Sequence, residues 1–244
     1  MPAAQRFDAI DTLRGVAILW MAVFHFCFDL NHEGWIHQNF LSDPVWIWQR
    51  TAIVSLFLFC AGLGQAVAVQ QGQTWPRFWR RWGQVVLCAL LVTAGSMWMF
   101  PQSYIYFGVL HGIAVMLVIV RLTAGWGRWL WFLGAMAIAM KFIAVYVHGE
   151  SISLSFLNDR AFNWLGLIGQ KPRTEDYVPV LPWLGVMWWG MAAGTWLLQH
   201  RPKVVSHAPS QAGLSCLGRW SLSFYMLHQP VLLGLLSLVS MFRA

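Results

Sequence analysis

Four ionisable residues interrupt the apolar run "DTLRGVAILWMAVFHFCFDL": Asp11, Arg14, His25 and Asp29. A helix turns about 100° per residue, so all four fall within about 60° of Arg14 and form one stripe. Arg14 and His25 are separated by about 16 Å along such an axis. An arginine holds anions, a histidine exchanges protons near neutral pH, and a carboxylate one turn later can orient the imidazole. A plainer reading pairs Asp11 with Arg14 at i, i+3 and leaves Asp29 outside the lipid core. That reading does not account for His25, set between Phe24 and Phe26.

Two more histidines sit in apolar runs: His111 in "YFGVLHGIAVMLVI" and His228 in "LGRWSLSFYMLHQPVLL". Tyr225 lies one turn before His228 on a similar face, and Pro230 is expected to kink the helix just beyond it and free nearby carbonyls. Each histidine alone reads as a buried polar residue; on three spans they point to a shared polar cavity. The basic cluster "TWPRFWRRWGQ" interleaves Arg77, Arg80 and Arg81 with Trp75, Phe78, Trp79 and Trp82. It serves either as a cytoplasmic membrane anchor with an aromatic belt or as an anion site. In the second case guanidinium forks take phosphates and aromatic planes stack on a base, which suits the 3′-phosphate, pyrophosphate and adenine of coenzyme A. No Walker A or GxGxxG motif supports a P-loop or Rossmann-type site. Cys27, Cys60, Cys88 and Cys216 form no CxxC pair and read as small buried hydrophobes, and no metal site is predicted.

These groups need a membrane scaffold to position them. The chain of 244 residues is 58% hydrophobic and 10% charged, whereas a soluble domain is about a quarter charged. The expected fold class is all-α: one polytopic transmembrane bundle over residues 1–244, with about seven spans at 10–30, 45–69, 82–100, 104–122, 126–147, 180–199 and 219–242. Within the polar stretch 148–179, "AFNWLGLIG" reads as a short interfacial helix or a re-entrant segment. Asp8 and Asp11 near the start argue against a cleaved signal peptide, so the first apolar segment is expected to remain as a span. With the N-terminus cytoplasmic, that side receives Arg6, Arg14, Arg77, Arg80, Arg81, Arg121, Arg128, Arg201, Lys203 and Arg219. The far side receives Arg50, Arg160, Lys171, Arg173 and Arg243. This bias follows the positive-inside rule and places the C-terminus outside. The net charge of +7 is assigned to loops facing anionic lipid and not to nucleic acid. Nothing in the pattern sets an oligomeric state.

"RGVAILWMAVFH" is an R-x10-H pattern that resembles membrane acyltransferase-3 proteins, as do "SLFLFCAGLGQAVA" and the following "RFWRR". Over nearly the whole chain, the sequence is more similar to small bacterial membrane proteins related to the catalytic domain of heparan-alpha-glucosaminide N-acetyltransferase. "DTLRGVAILWMAVFHFCFDL", "YFGVLHGIAV", "DYVPVLPWLGVMWWGMAAG" and "LGRWSLSFYMLHQPVLL" carry that resemblance. It implies a multi-pass acyltransferase of the bacterial inner membrane that moves an acyl group, acetyl by analogy, from cytoplasmic acyl-CoA to a sugar or glycan acceptor. In the eukaryotic relative, cytosolic acetyl-CoA acetylates a sugar amine across the membrane. The chain here is shorter and has fewer spans. Arg14 and His25 match the R-x10-H pair, and Arg77, Arg80 and Arg81 match the basic loop. The eukaryotic catalytic histidine follows the first helix, so "NHEGWIHQNF" offers His37, and also His32, as the essential base in place of His25.

Acyl transfer from a thioester needs a base for the acceptor proton and donors for the oxyanion. In this scheme His25 is the base towards a hydroxyl or amine, oriented by Asp29, and His228, Tyr225 or His111 donates a proton or hydrogen bond. Arg14, Arg219 and the Arg77, Arg80 and Arg81 cluster hold CoA phosphates, with Tyr225 also placed near the cofactor. Direct transfer and an acyl-enzyme are both open. Two other classes compete: a transporter using the stripe as a proton or solute path, and a haem b cytochrome with His111 and His228 as axial ligands. A packing subunit that uses the stripe only to join helices is a further reading.

Overall fold

The structure, a computed structural model, describes residues 7–150, 152–201 and 210–242, so Arg6, Lys203 and Arg243 lie outside the described residues. Within them the chain forms eight α-helices: α1 (Asp8–His32), α2 (Pro44–Gln70), α3 (Trp75–Met99), α4 (Val109–Leu122), α5 (Trp129–Glu150), α6 (Val180–His200), α7 (Ala212–Arg219) and α8 (Ser221–Met241). The described residues hold no strand beyond an isolated bridge between Phe107 and Tyr177, and the all-α expectation holds. Every segment expected to span is helical. Five helices (α1, α2, α3, the Trp129–Tyr146 part of α5, and α8) are long and apolar enough to cross a membrane, and α4 is a shorter apolar helix.

Two helix starts differ clearly from expectation, each for a local reason. Helix α3 starts at Trp75, not at 82, because Pro76 sits in its first turn, where a missing N–H costs nothing. The basic cluster is therefore helical and not a loop. Helix α4 starts at Val109, not at 104: the Val178 N–H donates to the Phe107 carbonyl (3.2 Å) and the Val109 N–H donates to the Asp176 carboxylate (2.7 Å), which keeps the preceding residues extended. The last expected span, 219–242, is α8, and the short helix α7 precedes it across a corner at Trp220. The segment "AFNWLGLIG" contains only the short 3-10 turn Asn163–Leu165.

The contacts divide the chain into two compact units: Leu58–Pro202, and Arg6–Phe57 with Lys203–Ala244. In the first, helices approach closely at small residues, as membrane helices commonly do. A Cβ on Gly62 would lie 2.2 Å from the Met187 carbonyl oxygen, and one on Gly185 would lie 2.4 Å from that of Gly134. The loops around 104–108 and 158–177 close over this unit with a polar layer. The Asn163 amide donates to the Tyr106 hydroxyl (2.8 Å), the Tyr177 hydroxyl donates to the Asn163 carbonyl (2.6 Å), and Arg160 lies over both Tyr104 and Tyr106. Burial pushes the Tyr106 and Tyr177 phenols above the ordinary tyrosine range.

In the second unit α7 packs closely across the first turns of α1. Gly218 meets Asp11, and Leu214 meets Gly15, at distances where the added Cβ would lie 1.8 and 2.0 Å from a backbone oxygen. After the corner at Trp220, α8 runs beside α1 in the same direction. Ile18, Met21 and Ile53 form the buried core there, against Phe57, Leu217, Phe224 and Tyr225. The second half of α1 thus lies against α8, and this contact brings the chemistry together.

Candidate active site

The α1 stripe faces protein, as the cost of charge in lipid requires: Asp11 is 6% exposed and Asp29 is 4% exposed. At the N-terminal end the stripe is charge-matched. Arg14 donates to Asp11 at 3.1 Å, Arg219 donates to Asp8 at 2.8 Å, and Arg219 also lies 3.8 Å from Asp11. The i, i+3 pairing foreseen as the plainer reading is therefore present. Two of the arginines named for CoA are committed to carboxylates of α1.

Further along, the His25 and His228 rings meet with centroids 5.2 Å apart and planes at 61°. Phe24 touches His25 edge-on, and Phe224 stacks on His228 at 6.1 Å with an interplanar angle of 6°. The His228 Nδ1–H donates to the Tyr225 carbonyl at 2.7 Å. The other nitrogen, Nε2, is buried and has no partner among the described residues. Tyr225 thus acts on His228 through its backbone oxygen, with its ring 5.7 Å away. His25 makes no hydrogen bond among the described residues.

Asp29 does not orient His25. Its two carboxylate oxygens both accept from the Gln229 side-chain amide, at 2.9 Å each. Asp29 and His25 share a stripe, but α8 presents Gln229 opposite the acid and His228 opposite the imidazole. Gln229 escaped the sequence reading; the signal available was an amide beside a histidine in an apolar span, where polar side chains commonly bond across helices. Gln229→Leu removes the donor from a buried acid and is expected to destabilise the protein by about 1–3 kcal/mol, whereas adding Asp29→Leu removes both partners and recovers most of the loss. Thermal denaturation in detergent measures both; a Gln229→Leu protein as stable as wild type contradicts the pairing.

The remaining candidates lie elsewhere. His111 sits in the first turn of α4, inside the other unit, and both its nitrogens are engaged. Nδ1 accepts the Gly108 N–H at 3.3 Å, and Nε2–H donates to the Thr93 hydroxyl at 3.0 Å, whose own hydrogen goes to the Ile105 carbonyl. It caps a helix and has no free nitrogen for proton transfer or for a haem iron. His32 and His37 are exposed at and beyond the end of α1. Arg77, Arg80 and Arg81 are exposed on the first two turns of α3, at i, i+3 and i+4, and so share one face. They carry no ion pair or hydrogen bond among the described residues. Phe78, between them, is buried at 2% exposure, and Arg121 stacks over Trp75 and Phe78. The aromatic residues thus anchor the turn and leave the three guanidinium groups outward at a helix N-terminus, where anions are favoured.

A family model described as "Heparan-alpha-glucosaminide N-acetyltransferase, catalytic" matches residues 6–230. No curated protein and no solved structure matches the chain.

Proposed function

The chain belongs to the heparan-alpha-glucosaminide N-acetyltransferase catalytic-domain family, and from that premise we propose that it transfers an acyl group, acetyl by family, from cytoplasmic acyl-CoA to a hydroxyl or amine of a sugar or glycan. The observation that carries this reading is the histidine pair His25–His228, held 5.2 Å apart by two apolar helices. One imidazole takes the acceptor proton, and the other donates a hydrogen bond to the thioester oxygen as it becomes an oxyanion. Arg77, Arg80 and Arg81 take the CoA phosphates, in keeping with their exposure and open donors. His37 remains the alternative base, exposed in the loop beyond α1.

The membrane topology proposed is seven spans, N-terminus inside, in the bacterial inner membrane. The parallel run of α1 and α8 is consistent with it, since an odd number of crossings must lie between them: five where α4 and α6 cross with α2, α3 and α5. The Arg-rich start of α3 then faces the cytoplasm, and the histidine pair is formed by the C-terminal half of α1 and the N-terminal half of α8.

Acyl-CoA turnover by purified protein tests the reading. Wild-type protein releases CoA thiol from acetyl-CoA. Changing Arg77, Arg80 and Arg81 together to Gln raises KM for acetyl-CoA at least about tenfold, with a smaller effect on kcat, because a hydrogen bond to a charged group contributes about 1.5–3 kcal/mol. An unchanged KM removes the cluster from CoA binding.

A further inference from the structure

The two rings of the pair are not equivalent. The Tyr225 carbonyl can only accept, so the hydrogen of its 2.7 Å bond to His228 belongs to Nδ1. In the neutral ring Nε2 then carries the lone pair. That atom is buried without a partner among the described residues, in a side chain only 9% exposed. A buried polar atom left unpaired costs about 1–3 kcal/mol. Phe224 stacked on one face and the carbonyl below fix the ring, so Nε2 cannot turn away to find a partner. His25 has no hydrogen bond among the described residues to choose its tautomer.

We propose that His228 is the catalytic base of the transfer, with the Tyr225 carbonyl as its positioning group, and that His25 is the oxyanion donor. The assignment rests on the acyl-transfer reading and reverses the roles expected from the R-x10-H pattern. The acceptor O–H or N–H gives its proton to His228 Nε2 as its lone pair attacks the thioester carbon. A C–O or C–N bond forms, and the carbonyl oxygen takes up negative charge beside a His25 N–H. The C–S bond then breaks, and Nε2 returns the proton to sulfur as CoA thiol. The ring recovers its starting tautomer, and nothing is oxidised or reduced.

The test compares wild type with His228→Ala and His228→Asn, the second of which keeps an amide donor within reach of the Tyr225 carbonyl. Both variants lose about a hundredfold or more in kcat, within the usual range for a general base, while KM for acetyl-CoA changes less than about threefold. Added imidazole restores the Ala variant by about tenfold or more, which a merely structural role would not produce. Nitrogen NMR of histidine-labelled wild type shows, beside the exposed His200 whose Nδ1–H donates to the Trp196 carbonyl, a second ring locked as the Nδ1–H tautomer, and this second signal is missing from His228→Asn. Loss of kcat below about threefold, failure of imidazole to rescue, or an Nε2–H tautomer overturns the assignment and leaves acyl transfer standing. Wild-type protein that consumes no acyl-CoA overturns both.

Discussion

Purified, folded His25→Ala protein is expected to release CoA from acetyl-CoA about a hundredfold or more slowly than wild type, the loss typical of one oxyanion donor. The expectation follows from three observations in order. His25 lies on the buried stripe of α1, its ring meets His228 across the α1–α8 seam, and it has no competing hydrogen bond among the described residues. Its N–H is therefore available to a developing negative charge in a site lined by Phe24 and Phe224, where a hydrogen bond is stronger than in water. The effect falls on kcat, since the oxyanion exists only in the transition state. A loss below about threefold in folded protein removes His25 from the chemistry and returns attention to His37.

The largest expected effect on stability is at Gly218. Its Cβ position lies 1.8 Å from the Asp11 carbonyl oxygen, a backbone atom in the middle of a helical turn. Gly218→Ala must push α7 away from α1, and that movement also disturbs the Leu214–Gly15 contact and the Arg219 ion pairs. Overpacking costs about 1–3 kcal/mol where side chains can yield, and more where they cannot. Gly234→Ala in α8 is the matched control: nothing lies within 4 Å of its Cβ position, and an alanine there gains about 0.5–1 kcal/mol of helix preference. Monodisperse protein recovered after graded heating separates the two. Gly218→Ala is expected to melt well below Gly234→Ala, and equal midpoints contradict the close crossing.

The helical period of "DTLRGVAILWMAVFHFCFDL" was enough to place Asp11, Arg14, His25 and Asp29 on one protein-facing stripe, and the apolar runs were enough to place the long helices. The partner of that stripe was less visible. Periodicity describes one helix at a time, and the choice of α8 as neighbour depends on the backbone approach at Gly15 and Gly218, which composition does not mark. Asp29 was therefore matched to the nearest histidine on its own helix, when the structure matches it to Gln229. His111 looked equivalent to His228 because both sit in apolar runs; their difference lies in whether neighbouring backbone and Thr93 use up both nitrogens. The extension of α3 back to Trp75 was legible in Pro76, read as part of a loop because the arginines beside it are charged.

The most direct test of the central claim is transfer in proteoliposomes of known orientation, with radiolabelled acetyl-CoA supplied at the face carrying Arg77, Arg80 and Arg81 and amino sugars or polyols supplied at the other. Acetylated product is expected, with one CoA thiol released per acetyl transferred, and both are lost in His25→Ala and His228→Asn. Thiol release no faster than in protein-free liposomes, whatever the acceptor, contradicts that claim.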